Sequence, residues 1–289
     1  MPDQAEPLRQ LVRASVDDQI VGNTRLIAVA SGKGGVGKSN IVLNLALTLA
    51  DRGSRVAIID GDLGFSNLDI LLGLRPQYSL QDVLDNRIGL ADALTEGPRG
   101  IWFVSGGGGE TLMEDQSNWQ LRRLVEQLAE ISGRFDRVYI DFGAGFGRHT
   151  AELMGLCDEL LLVTTPEPTA LADAYALLKL VLQAGGAPRT RLLVNRAATV
   201  SAGMDASRKL QLIVRQFLRL DMDLLGYLLE DAAVQRAVAR QQPFVLSEPQ
   251  SLATRCLAQI AKNALCDQPM EPSERQGIKA LLRRFISWR

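Results

Sequence analysis

The stretch "GKGGVGKS", residues 32–39, constrains the fold more than any other. It fits G-x-x-x-x-G-K-[ST], in which glycines let backbone N–H groups approach phosphate oxygens closely. An apolar run, "RLIAVA" at 25–30, precedes it, and a helical pattern opens near Lys38. A phosphate loop needs this strand–loop–helix setting, because the helix N-terminus adds partial positive charge. The loop residues Gly34, Gly35, Val36, Gly37, Lys38, Ser39 and Asn40 are therefore expected to bind a nucleotide. Lys38 is expected to reach its β- and γ-phosphates and Ser39 to hold Mg²⁺. A second lysine, Lys33, is expected to stand on the loop's rim and point away from its own nucleotide. It is either a solvated side chain or a cation that neutralises charge on a second molecule docked face to face.

Apolar, β-rich runs recur at 25–30, 55–60, 101–105, 137–141, 159–165, 191–195 and 224–228. Helical patterns lie between them, near 38–52, 117–132, 169–184, 203–219 and 231–240. The runs are almost continuously apolar, as strands covered on both faces are. This alternation predicts an α/β fold: a mainly parallel sheet of the P-loop NTPase kind with helices on both faces. With 289 residues, 46% of them hydrophobic, the chain can bury a sizeable core. The organisation expected is a polar leader (1–24), a nucleotide-binding domain (25–265), a linker (266–274) and a terminal helix (275–289).

Composition excludes several classes. A formal net charge of −1 argues against a wholly basic, nucleic-acid-binding surface. Three cysteines without CxxC spacing provide neither a disulfide framework nor a zinc site and fit a reducing cytosol. The start "MPDQAEPLRQ" lacks a signal-peptide pattern, and no run of about 18 apolar residues suits a transmembrane helix.

Carboxylates follow two of the strand candidates. In "IIDGDLGFSNLDILLG" (58–73), Asp60 ends a strand and Asp62 lies two residues on. At the C-terminal edge of a parallel sheet, one can serve the Mg²⁺ shell while the other orients water. "RVYIDFGAGFG" (137–147) is an apolar strand ending in Asp141, expected to bind Mg²⁺ through water. "LLVNRA" (192–197) ends a strand with Asn195, whose amide can both donate to and accept from a base.

"KGGVGKS" resembles the deviant phosphate loop of the MinD/ParA family of dimerising ATPases, and "DGDLGFSNLD" is similar to that family's following motif. The resemblance implies ATP and Mg²⁺ as ligands and an ATP-dependent homodimer in which Lys33 reaches the partner's nucleotide. It gives Asp62 the positioning of the attacking water, Asp60 the support of magnesium, and Asn67 a place in a nucleotide-sensing switch. It implies that Asn195 reads the base, with Arg196 beside it in the nucleotide site, and that "LLEDAAVQRAV" (228–238), with Leu229, Glu230 and Asp231, supplies the other wall. Two positions depart from the common pattern: Gly143 and Leu229 stand where proline is frequent.

"DQAEPLRQL" (3–11) and "TTPEPTALADAYALLK" (164–179) further resemble the flagellar-number branch of that family, the FlhG (FleN/YlxH) regulators. That branch implies a partner-activating leader, with Asp3, Gln4, Ala5, Leu8 and Arg9 contacting an FlhF-like GTPase. It places Asp173 on the dimer face. Flagellar switch or C-ring proteins, or a flagellar transcription activator, are further implied partners. A MinD-type division-site ATPase and a ParA-type DNA partition ATPase are the alternative readings. An iron–sulfur carrier of the related Mrp type would need CxxC, which this chain lacks.

The terminal stretch "IKALLRRFISWR" (278–289) puts Ile278, Leu281, Leu282, Phe285 and Ile286 on one helical face and Lys279, Arg283 and Arg284 on the other. Such a helix, about 18 Å long, is too short to cross a bilayer and suits the surface of an anionic one. It could also pack on the domain. The expected location is cytoplasmic, peripheral on the inner face of the cell membrane in the ATP state.

Overall fold

The run "RLIAVA" forms β1 (Arg25–Ala30), and it is buried on both faces. Leu26, Ala28 and Ala30 join one hydrophobic core, while Ile27 and Val29 join a second on the opposite face of the sheet. This is the period of two that a strand imposes. The computed structural model describes residues 24–64, 66–108, 118–143 and 147–266. Seven further strands complete the sheet: β2 (Val56–Asp60), β3 (Thr95–Glu96), β4 (Trp102–Val104), β5 (Arg137–Asp141), β6 (Glu159–Thr164), β7 (Arg189–Ala197) and β8 (Asp223–Leu229). Their order is β3-β4-β2-β5-β1-β6-β7-β8. Among the described residues, only the short β3–β4 pair is antiparallel.

The helices are α1 (Lys38–Ala50), α2 (Leu68–Leu72), α3 (Leu80–Leu84), α4 (Leu90–Ala93), α5 (Asn118–Glu130), α6 (Arg148–Leu156), α7 (Pro168–Gln183), α8 (Val200–Leu218), α9 (Ala232–Ala239), α10 (Phe244–Ser247) and α11 (Leu252–Leu265). The mainly parallel α/β sheet expected from the sequence is what forms. The periodic stretches become α1, α5, α7, α8 and α9, each within a few residues of its expected bounds. The remaining helices were not read from the sequence. Most are short, and α11 lies between the 231–240 pattern and the terminal helix, in a stretch not read as helical, although Ala253, Leu257, Ile260, Ala261 and Ala264 form a buried face at helical spacing.

α1 is buried on almost every side, from Ile41 to Leu49. An all-round apolar helix must be enclosed, and α1 is, by β2, α10, α11 and neighbouring elements. It therefore holds the phosphate loop rigidly at its N-terminus. Side-chain caps fix other helix starts. Ser79 and Asp82 form a reciprocal capping box on α3, and Thr199 accepts the Ala202 N–H on α8. No described helix is long and apolar enough to cross a membrane.

Leu257 is fully buried and belongs to the same core as α1. Leu257→Ala is expected to lower unfolding free energy by about 2–5 kcal/mol, measured by urea denaturation, because a cavity opens in the core that encloses α1.

Candidate active site

β1 lies between β5 and β6, where the strand order changes direction. Ligands of open α/β sheets bind outside the carboxyl ends of strands at such a point. There β1 runs into the phosphate loop, β2 ends in Asp60, β5 ends in Asp141, and β7 carries Asn195. Gly37 caps α1 with φ 94, a left-handed conformation that a Cβ would strain. Lys38 and Val36 are buried, while Gly34 and Gly35 are exposed.

Asp60 and Asp141 are register partners on adjacent strands, 0% and 1% exposed. Burial pushes both carboxyls above the ordinary range, and the charge of Asp141 adds to the rise at Asp60. At Asp141 the Lys38 ammonium and Ser39 hydroxyl oppose burial, while Asp62 reinforces it. The two carboxylates nevertheless have different surroundings. Asp60 Oδ1 accepts the Asp62 N–H at 3.0 Å. Its Oδ2 accepts the Asn67 N–H at 3.0 Å, the Ser66 hydroxyl at 3.1 Å and the Leu68 N–H at 3.4 Å. Among the described residues, neither Asp141 oxygen has a hydrogen-bond partner of good geometry.

A buried carboxylate with two uncommitted oxygens is costly unless a cation meets it. Asp141 and the neighbouring Ser39 hydroxyl provide hard oxygen donors, and Lys38 alone leaves the negative charges of Asp60, Asp62 and Asp141 in excess. Magnesium fits this donor set. Asp60 holds the loop that follows it, so its contribution to such a site runs through that loop.

Asp62 sits against the backbone after Asp141. A methyl group at Gly143 would lie 3.0 Å from the Asp62 carboxyl carbon. Glycine at this position thus leaves room for Asp62.

Lys33 reaches sideways. Its ammonium lies 2.6 Å from Glu167 Oε2 and 3.3 Å from Thr169 Oγ1, at the start of α7. Lys33 in turn holds the Glu167 carboxyl below its usual range. Gly32 packs on the α7 backbone at Asp173 and Ala174, which brings the half-buried Asp173 beside the loop.

A cleft of about 360 Å³ opens next to the loop. Gly37 and Asn40 form one side, Asn195 and Arg196 a second, and Leu229, Glu230 and Asp231 a third. Asn195 Nδ2 donates to the Val36 carbonyl at 2.7 Å. A carbonyl only accepts, so this bond sets the amide's orientation and leaves its oxygen for a ligand. Arg196 takes φ 54, a left-handed conformation uncommon for a residue with a Cβ. Asp231 lines the cleft and also caps α9 through Ala233 N–H (2.9 Å) while accepting the Ala253 N–H of α11 (3.1 Å). These bonds outweigh the cost of burial and hold its carboxyl below the ordinary range.

Val234 and Val238, four residues apart on α9 and within the expected wall 228–238, supply apolar surface to the cleft, and Phe244, which sequence reading missed, adds more. Glu167, Thr169, Ser66 and Ser105 were missed as well, because small polar residues show no period. The leader residues Asp3, Gln4, Ala5, Leu8 and Arg9 lie outside the described residues, as do the tail residues Ile278, Leu281, Leu282, Phe285 and Ile286.

A model of the CobQ/CobB/MinD/ParA nucleotide-binding domain matches residues 27–244. The chain belongs to this family. It is 36% identical to the antiactivator FleN of Pseudomonas aeruginosa, over 91% of this chain and 93% of that one. It is 29% identical to the flagellum site-determining protein YlxH of Helicobacter pylori, over 92% and 91% of the two chains. Among solved structures, it is similar to the septum site-determining protein MinD of Pyrococcus horikoshii in complex with Mg-ADP. The TM-score is 0.70 at 26% identity, over 83% of this chain and 96% of the other. The resemblance drawn from the phosphate loop and the leader therefore holds: this is an ATPase of the MinD/ParA family, similar to the FleN and YlxH regulators.

Asn195→Asp places a carboxylate oxygen against the Val36 carbonyl in place of the N–H donor. ATP affinity is expected to fall about tenfold or more, as for a lost buried hydrogen bond of ~1–3 kcal/mol, in titrations with a fluorescent nucleotide. An unchanged affinity would remove Asn195 from the cleft's working surface.

Proposed function

We propose that the chain is a switch ATPase that dimerises on binding ATP, cycles on a membrane surface and regulates the number or placement of flagella. The observation that carries the flagellar output is the match to FleN and YlxH over nine-tenths of the chain. The output runs through an FlhF-like GTPase contacted by Asp3, Gln4, Ala5, Leu8 and Arg9, or through switch, C-ring or transcription-activating partners. Residues 275–289 supply the contact with an anionic membrane. Two such tails on one dimer bind with greater avidity than one, so nucleotide state controls residence on the surface.

Each group in the site has a task in this reading. The loop N–H groups from Gly34 to Asn40, with Lys38, hold the phosphates of ATP. Asn195 offers its amide oxygen to the exocyclic amine of adenine; a guanine would present a carbonyl there and be repelled. Arg196 and the Leu229–Asp231 segment form the rest of the base site. Ser39 and Asp141 hold magnesium, with Asp60 in support; the ion, when bound, screens phosphate charge. Asp62 orients the attacking water. Lys33 leaves Glu167 and Thr169 and meets the nucleotide of a second copy, where its charge stabilises the transition state. Its exposed bond to Glu167 is of the weak, exchangeable kind, and Asp173 beside the loop belongs to the same dimer face.

The deciding measurement is mass by light scattering with ADP and then ATP–Mg²⁺, on Asp62→Ala with and without Lys33→Ala. ATP alone is expected to double the mass of Asp62→Ala, and Lys33→Ala to abolish the doubling. A monomer in every state would leave Lys33 a surface side chain. Deleting 275–289 is expected to abolish co-sedimentation with anionic vesicles while leaving the dimer intact; undiminished co-sedimentation would remove the tail from the membrane contact.

A further inference from the structure

The segment after β2 returns to the carboxylate from which it leaves. Asp60 Oδ1 accepts the N–H of Asp62, near the segment's start. Asp60 Oδ2 accepts the hydroxyl of Ser66 and the N–H groups of Asn67 and Leu68, at its end. One fully buried carboxylate thus staples both ends of the stretch that carries Asp62.

Ser66 ties this staple to a third strand. Its Oγ lies 2.7 Å from Ser105 Oγ, just past the end of β4, and 3.1 Å from both Asp60 Oδ2 and Asp69 Oδ1. Ser66 has one hydroxyl proton for these neighbours. Asp69 Oδ1 already receives the Ile70 N–H at 2.9 Å. Asp60 is fully buried, where an unmet charge is costlier than at the surface. The Ser66 proton therefore goes to Asp60, and Ser105, 4% exposed, donates its own to Ser66. The resulting chain runs Ser105–Ser66–Asp60–Asp62 N–H and links the end of β4 to the backbone of Asp62.

We propose that Ser66 is a positioning residue for ATP hydrolysis: through its hydroxyl, Ser105 and Asp60 hold the Asp62 backbone where its carboxylate faces Gly143. This rests on the reading of Asp62 as the group that orients water. Ser66 is only partly buried and lies outside both hydrophobic cores. Its loss therefore loosens the loop without unfolding the domain.

Steady-state ATP hydrolysis and thermal melting of the full chain test the proposal. In Ser66→Ala, kcat is expected to fall about tenfold, ~1.4 kcal/mol of barrier, with KM for ATP unchanged and the melting temperature lowered by no more than a few degrees, the cost of one lost hydrogen bond to Asp60. Ser66→Thr keeps the hydroxyl and restores the rate. Ser66→Ala/Ser105→Ala is expected to be no slower than Ser66→Ala alone, because the two hydroxyls act in series. Wild-type turnover in Ser66→Ala, or multiplied losses in the double variant, would overturn the proposal. Asp62→Ala is the control. If it is inactive while Ser66→Ala is fully active, only the role of Ser66 fails. If Asp62→Ala hydrolyses ATP normally, the water-orienting reading fails and takes this route with it.

Discussion

Two buried carboxylates on adjacent strands, Asp60 and Asp141, set the terms for everything around them. Parallel pairing of β2 with β5 places them side by side at the sheet's edge, and burial raises the cost of charging both. The chain meets that cost in two ways. Asp60 is satisfied internally by four donors from the loop that follows it. Asp141, beside Lys38 and Ser39, accepts no hydrogen bond of good geometry among the described residues. One carboxylate thereby becomes a structural hub and the other keeps oxygens that a cation would satisfy, although both close apolar strands in the same way.

The phosphate loop depends on a comparable division of labour. α1 is enclosed in the core below it, Gly32 rests on α7, and Asn195 ties the Val36 carbonyl to β7. Three separate elements hold the loop before any nucleotide arrives. Such preorganisation lowers the cost of ordering it at the moment of binding. The exposed Lys33 is the exception. Among the described residues its ammonium rests on Glu167 and Thr169, and those contacts can be exchanged without disturbing the core.

Asp231 illustrates how one residue serves site and scaffold together. Its carboxylate spans the first turns of α9 and α11 while its segment forms a wall of the cleft. A wall built on a helix cap moves only if two helices move. Leu229 keeps its part of the wall against β7, where it is the register partner of Ala197.

Local features of the chain determined much of this. The phosphate loop, its strand and helix, the alternation of strands and helices, and the strand-terminal Asp60 and Asp141 all follow from short stretches whose spacing carries physical meaning; Asn195, expected to end its strand, lies two residues inside β7. Short helices without a full apolar face, such as α2 and α4, left no such mark, and neither did the antiparallel β3. The leader and tail motifs carried the family branch without revealing any contact. Only the tertiary structure decided which carboxylate has oxygens to spare, which way the Asn195 amide points, and where the Lys33 ammonium rests. It also brought Ser105 to Ser66 across 39 residues of sequence. The physical reason is common to all of these. Periodicity reports which face of an element is buried, whereas a hydrogen-bond partner depends on which other element lies against that face, and no single stretch of sequence contains that information.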